Sequence, residues 1–396
     1  MKTAATAVNF GAMTPDLQTW LITQISQKPS LDVLFNGFCR KLVKQGLPVW
    51  RSNIGLETLH PEEIGFSLLW IDGNLVDRGF SRARPGILTS ADYLNSPAKY
   101  VDDTNQPFRW RQGENDQGMG IIADLVAENA TEYTMLPLAF QDTYRSASIS
   151  FATKAEGGFG DAGFEALQYA SILISPLCER IALRRVALDA LTVYLGATAA
   201  QRAYSGQIER GDVRTLQAAI LIADLRGFTL LSDRLERRAM VTLLDRWFGV
   251  MGEAIEEQGG DILKFMGDGL LAVFPLDGDP SGSCARALAA AKQTIAGTAK
   301  LNEDLAAEGI APLRFGLALH CGDVEFGNIG AKRRIDFTVI GPAVNHASRL
   351  EGLTKIVQQP LVLSDTFAET LGKRLRSLGS HVLRGVREPV EVFVPE

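Results

Sequence analysis

Apolar positions along the chain recur with two periods, and the places where one gives way to the other mark its elements. Leu17, Leu21 and Ile25, then Leu31, Leu34, Phe35, Phe38 and Leu42, follow helical spacing over residues 16–45. Residues 65–71 form a short apolar run ending in Asp72-Gly73, a hairpin signal. Residues 131–140 and 146–153 read as two further antiparallel strands, and Gly157-Gly158-Phe159-Gly160 as the loop after them. Helical spacing returns from residue 161, with Phe164, Leu167, Ala170, Ile172, Leu173, Leu177, Ile181 and Leu183, and extends with breaks to about residue 206. Strands closed by a helix predict an α+β regulatory unit over 16–180, after a flexible tail over 1–15. A helical connector follows over 181–210, suited either to a coiled coil or to ordinary packing.

A second unit is expected over 211–396. Residues 217–224 are a strongly apolar strand. Residues 234–257 form an amphipathic helix through Leu235, Leu243, Leu244, Trp247, Met251 and Ile255, stopped by Gly259-Gly260. Residues 261–274 read as strand–turn–strand about Gly267-Asp268-Gly269, 283–305 as an Ala-rich helix, and 313–320 as a strand. A short strand at 337–340, a helix beginning over 345–353 and a pair of short strands over 382–394 complete the pattern. The order βαββαβ predicts an α+β, ferredoxin-like antiparallel sheet with helices on one face.

Composition narrows the class. At 396 residues, 46% apolar and 22% charged, the chain is ordinary globular protein with room for two or three domains. A net charge of −6 and the absence of a long basic run argue against a nucleic-acid partner. Cys39, Cys178, Cys284 and Cys321 are scattered and read as reduced, buried thiols. His60, His320, His346 and His381 are as dispersed, so no structural zinc site is expected. Residues 1–14 lack the apolar core of a secretory signal, and the aliphatic run 218–223 is far below the ~20 residues a bilayer needs. The expectation is a cytoplasmic protein with no membrane span.

Two acids stand out. Asp224 ends an apolar strand and opens Asp224-Leu225-Arg226-Gly227-Phe228-Thr229; Asp268 sits in a Gly-flanked turn. Carboxylates so placed suit a hard divalent cation that shares its ligands with phosphate. Backbone N–H groups at Gly227, Phe228 and Thr229, ahead of a helix, can face an anion. Taken singly, ordinary turn chemistry accounts for either acid.

Four blocks in order change that. They are residues 224–229, Lys264-Phe265-Met266-Gly267-Asp268-Gly269, Asp336-Phe337-Thr338-Val339-Ile340-Gly341 and Asn345-His346-Ala347-Ser348-Arg349. Together they resemble the class III adenylate/guanylate cyclase catalytic domain over about 211–396. The layout of 16–180 resembles a GAF-type domain, without a motif to name its ligand. The cyclase resemblance implies that Asp224, Asp268 and the Leu225 carbonyl hold two divalent ions, Mg²⁺ or Mn²⁺. It implies that Asn345 orients the ribose and that Arg349 stabilises the α-phosphate. Arg384 stands where the family has a triphosphate-binding Lys, and a guanidinium meets phosphate as a fork rather than a point charge.

Lys264 and Thr338 occupy the purine-reading positions. Lysine, donor-only, fits adenine N1, and a threonine hydroxyl can accept from the exocyclic amine; guanine reverses both roles. The resemblance thus implies an adenylate cyclase that turns ATP into cyclic AMP and pyrophosphate. The Thr338 variant resembles a bacterial subgroup that often responds to bicarbonate. The family shares its sites across a dimer: one chain supplies the acids and the other Lys264, Thr338, Asn345 and Arg349. A homodimer with two sites follows, regulated by an unknown small-molecule or protein signal at the N-terminal unit. The alternatives are a guanylate cyclase, disfavoured by Lys264, and a catalytically silent sensor or scaffold, disfavoured by the filled site positions. A diguanylate cyclase fails on Gly259-Gly260-Asp261-Ile262-Leu263, which departs from the GGDEF signature.

Overall fold

The computed structural model describes residues 15–58, 65–77, 86–114, 118–141, 147–232, 235–332, 334–386 and 388–396. The chain divides into two compact units, one ending at Ala190 and the other running from Leu191 to Glu396.

The first unit contains α1 (Pro15–Gln27), α2 (Leu31–Lys44), β1 (Arg51–Glu57), β2 (Gly65–Ile71), β3 (Asn74–Asp77), α3 (Ala91–Leu94), α4 (Pro97–Thr104), β4 (Phe108–Arg111), α5 (Gly120–Ala127), β5 (Glu132–Pro137), β6 (Ala147–Thr153) and α6 (Gly160–Leu195). Its strands form one antiparallel sheet in the order β3-β2-β1-β6-β5-β4. In β1 and β2 half-buried and buried positions alternate along every residue, as a two-residue repeat requires. One face packs Ile54, Trp70 and Phe151 against Leu34, Phe35 and Phe38 of α2 and Leu167 and Ile174 of α6. The other packs Trp50, Trp110 and Tyr133 against Ile122 and Leu125 of α5.

The tail expected over 1–15 lies outside the described residues but for Pro15, which begins α1. Two strands, β1 and β4, come where no strand was expected. In β1 the buried face is Ser52, Ile54 and Leu56, too sparse a pattern to stand out in the sequence. The span expected as a connector is the end of α6, a break at Gly196 (φ 81°) and the short helix α7 (Ala197–Tyr204).

The second unit continues with β7 (Val213–Leu225), α8 (Phe228–Ser232), α9 (Arg237–Glu257), β8 (Asp261–Met266), β9 (Gly269–Pro275), α10 (Pro280–Ala307), β10 (Phe315–Ala331), β11 (Arg334–Ile340), α11 (Pro342–Val357), β12 (Leu361–Ser364), α12 (Asp365–Leu371), β13 (Arg376–His381) and β14 (Val390–Val394). The sheet runs β13-β14-β12-β10-β7-β9-β8, with β11 on the far end of β10. Its pairs are antiparallel save β10 with β12.

Alternation along β7 sorts the core. Ala219, Leu221 and Ala223 face Trp247 and Met251 of α9 and Ala287 and Ala291 of α10. Ala218, Ile220 and Ile222 face Ala343 and Ala347 of α11. Helices therefore cover both faces, not one: the second half of the unit returns α11 across the side opposite α9 and α10. Both faces of β7 being covered is why it reads as a continuous apolar run. The final strand pair also begins earlier than expected, at Arg376 rather than residue 382. Among the described residues, no helix is long and apolar enough to cross a membrane.

Candidate active site

The register of the central strands sets the two acids. Asp224, next to last in β7, lies opposite Gly269 on one side and Gly316 on the other. Asp268 fills the turn between β8 and β9, entered through Gly267 at φ 68°. A Cβ on Gly269 would stand 2.9 Å from the Ala223 carbonyl and 3.2 Å from Asp224 Oδ1. Glycine there is what lets the turn carrying Asp268 close on Asp224.

Electrostatics follow from this geometry. Burial raises the Asp224 carboxyl above the usual carboxylate range, and the charge of Asp268 raises it further; Lys355, 3.9 Å away, opposes both. Glu351, buried beneath, is raised by its burial and then by Asp224. Asp268 thus disfavours the charged form of Asp224, and Asp224 that of Glu351, against Lys355 at the edge of ion-pair range and Arg226 near Glu351; at the two aspartates the site is short of positive charge. Divalent cations fit this deficit. Among the described residues no three His, Cys, Asp or Glu side chains are arranged to hold a metal by themselves. Mg²⁺ takes one or two carboxylates and completes its shell with water and phosphate.

Beyond Asp224 the chain is pinned and then turned. The Arg226 N–H donates to the Arg314 carbonyl (2.7 Å) and its guanidinium to the Gln359 carbonyl (2.8 Å). Gly227, at φ 75°, redirects the backbone into α8, whose first bond runs from the Leu231 N–H to the Gly227 carbonyl. The N–H groups of Phe228 and Thr229 precede that bond and have no acceptor within the helix. The Thr229 side chain lies outside the described residues.

A second group of residues gathers on β8 and β11. Lys264 is exposed on β8 and forms an ion pair with Asp336 of β11. Asp336 and Thr338, two residues apart, share one face of β11, opposite Ile329 and Gly327. Phe337 points the other way, edge-on to Phe326 at 4.7 Å. Sequence reasoning singled out Lys264 and Thr338 but not Asp336. Its signal was available: an acid two positions before Thr338 on a strand must share its face.

The third group rides on α11. Ala343, Ala347 and Leu350 bury one side of the helix, which leaves Asn345 and Arg349 exposed and one turn apart. A Cβ on Gly385 would lie 3.5 Å from Arg349 Nη2, so Arg349 reaches the turn that holds the exposed Arg384. His346 packs inward, its ring stacked on His320 with centroids 4.3 Å apart. His320 Nδ1 lies 2.9 Å from Ser364 Oγ, and burial pulls this histidine down to about 3. Glu351 and Lys355, on the later turns of α11, were not foreseen; the buried acid is recognisable only once α11 is seen to cross β10 beside Asp224. The fold thus brings Asp224 to Asp268, Lys264 to Asp336 and Thr338, and Arg349 to the Arg384 turn. Among the described residues, the ion pair of Lys264 is with Asp336 and that of Asp224 with Lys355.

Comparison with known proteins bears on the C-terminal unit as a whole. Residues 213–394 match the family model of the adenylate and guanylate cyclase catalytic domain. An adenylate cyclase of Anabaena cylindrica is 35% identical over 168 residues, which cover 41% of this chain and 32% of that protein. Adenylate cyclase 1 of Rhizobium meliloti is 30% identical over 142 residues, or 35% of this chain and 21% of that protein. The chain spans about a third or less of the length of these curated relatives. Among solved structures, the guanylyl cyclase Cya2 is 31% identical, with 46% of this chain and 92% of that one covered and a TM-score of 0.42. The adenylyl cyclase CyaB from P. aeruginosa is 28% identical, with 46% and 94% covered and a TM-score of 0.42. With its sequence blocks in family order and residues 213–394 matched, the C-terminal unit carries an adenylate and guanylate cyclase catalytic domain.

Proposed function

We propose that the C-terminal unit is an adenylate cyclase, converting ATP to 3′,5′-cyclic AMP and pyrophosphate at sites shared by two copies of the chain, and that the GAF-like N-terminal unit regulates it. The observation that carries this reading is the register that sets Asp268 against Asp224 in a cluster short of positive charge. Asp224, Asp268 and the Leu225 carbonyl would hold two divalent ions, Mg²⁺ or Mn²⁺. Such ions, when bound, supply a lowered pKa for the ribose 3′-hydroxyl and charge neutralisation at the phosphates.

The chain's own groups do the rest. The Gly227, Phe228 and Thr229 N–H groups and Arg384 hold the triphosphate. Asn345 orients the ribose, and Arg349, one helical turn on, meets the charge that builds on the α-phosphate as the 3′-oxygen attacks. Positioning supplies most of the rate, as is general for phosphoryl transfer. Lys264 donates to adenine N1, Asp336 fixes the direction of its ammonium, and the Thr338 hydroxyl accepts from the exocyclic amine. Phe265, Met266 and Ile340 flank these residues with 52%, 45% and 49% of their surfaces exposed, apolar area suited to burial against a second copy.

The test is product formation by the purified full chain given ATP or GTP with Mg²⁺ or Mn²⁺, beside an Asp268→Ala control. Cyclic AMP that disappears in the control supports the proposal. Cyclic GMP in its place overturns the base assignment, and no cyclic product either from the folded full-chain dimer or from residues 205–396 alone overturns the enzyme.

A further inference from the structure

Of the four cysteines, two meet. Cys284, in the first turns of α10, and Cys321, on β10, bring their sulfurs to 3.3 Å inside the core of the C-terminal unit. Both are buried, at 0% and 6% exposed. The Cys321 end is held from α12, where the Thr366 hydroxyl donates to the Cys321 carbonyl (3.0 Å). No such pairing is available to Cys39 and Cys178 among the described contacts; each is packed in the core of the N-terminal unit.

We propose that Cys284 and Cys321 are a redox modification site, joined into a disulfide by a two-electron oxidant of the peroxide class, and that the bond locks α10 to the central strand β10. Closing it takes the sulfurs from 3.3 Å to about 2.05 Å. Side-chain rotation of two cysteines absorbs a movement of that size. In the step, both S–H bonds break and one S–S bond forms. The two thiols give up two electrons and two protons; the peroxide O–O bond accepts them and leaves as two waters. Burial confines the reaction to small oxidants. The bond closes a loop between residues 37 apart and ties two elements of one core, so the oxidised chain resists unfolding more than the reduced one.

The experiment uses the full chain, treated with hydrogen peroxide, denatured, alkylated with N-ethylmaleimide and mapped by non-reducing peptide mass spectrometry. The expected result is a Cys284–Cys321 cross-linked peptide, alkylation at Cys39 and Cys178 only, and reversal by dithiothreitol. The thermal midpoint of the oxidised C-terminal unit should rise on the order of 5 °C, and Cys284→Ser should abolish both effects. Alkylation at all four cysteines after oxidation, or a cross-link to Cys39 or Cys178, overturns the site. A Cys284–Cys321 bond that leaves the midpoint where it was overturns the lock. Mapping of the unsubstituted chain decides the first point whether or not the variant folds.

Discussion

Replacing Gly316 by alanine probes the join between the acids and the helix that carries Arg349. Gly316 lies opposite Asp224 in the sheet, and α11 crosses it with Glu351 and Thr354. A Cβ at this position would come closer than 3.0 Å to both Glu351 Oε1 and Thr354 Oγ1, nearer than real Cβ contacts go. Thr354 is fully buried and its Cβ, fixed to the helix backbone, would itself stand 3.2 Å from the new Cβ, so rotating the hydroxyl does not clear the contact and α11 has to lift. Overpacking of this kind costs about 1–3 kcal/mol. For a unit of this size that is a fall in thermal midpoint of about 2–4 °C per kcal/mol. Lifting α11 by half an ångström or so also shifts Asn345 and Arg349, and a displacement near 1 Å can cost about 10²-fold in turnover. Thermal unfolding and cyclic AMP production should therefore fall together in Gly316→Ala. Adding Thr354→Ala, which removes one of the two obstructing atoms, should recover part of both. Unchanged midpoint and turnover in Gly316→Ala would refute the packing of α11 on β10 and the burial of Glu351 beside Asp224.

Other predictions are as direct. Because Asp224 is raised by burial and by Asp268, it holds its proton to a higher pH than the ordinary 3.8; Mg²⁺ affinity should decline as pH falls through that raised value, and Mg²⁺ binding there should release protons. Asp268→Asn should let Asp224 ionise at lower pH, seen in a carboxyl titration by NMR without metal. Asp336→Asn removes an exposed ion pair, so it should cost no more than about 1 kcal/mol of stability, while the preference for ATP over GTP falls; an unchanged preference would contradict the role given to Asp336. His320 is pulled from 6.5 to about 3, so the folded chain binds fewer protons than the unfolded chain between those values. Stability from this histidine is present above pH 6.5 and lost as pH drops toward 3, by up to about 1.4 kcal/mol per pH unit. His320→Gln should flatten that acid limb in urea unfolding.

Much of the candidate site's local layout was legible because short-range rules suffice for it. An apolar strand ending in Asp224, a Gly-flanked Asp268 and a helix with Asn345 and Arg349 one turn apart are local patterns. What escaped depends on chain segments far apart in sequence. The pairing of Lys264 with Asp336 needs β8 and β11 side by side, and the burial of Glu351 needs α11 over Gly316. The length of β10 was hidden for a related reason. The strand reads as ending at His320, yet it continues to Ala331 through Gly322, Gly327 and Gly330. A Cβ on Gly327 would run into the backbone of Asp212 and Val213, so these glycines mark close strand approach rather than a loop. In the N-terminal unit the helices α1 and α2 and the strands β5 and β6 followed the apolar pattern. β1 and β4 did not, since their buried positions alternate with charged and polar residues over a few residues only.

The most direct test of the account is complementation between two dead chains. Asp224→Ala removes an acid, and Arg349→Ala removes the arginine that the proposal assigns to the transition state from the other copy. Each alone should make no cyclic AMP. Mixed equally by co-expression, random pairing makes half of the dimers mixed, each with one of its two sites intact, so about a quarter of the unsubstituted activity should return. A verified mixed dimer that makes no more cyclic AMP than its parents would contradict sites shared between two copies of this chain.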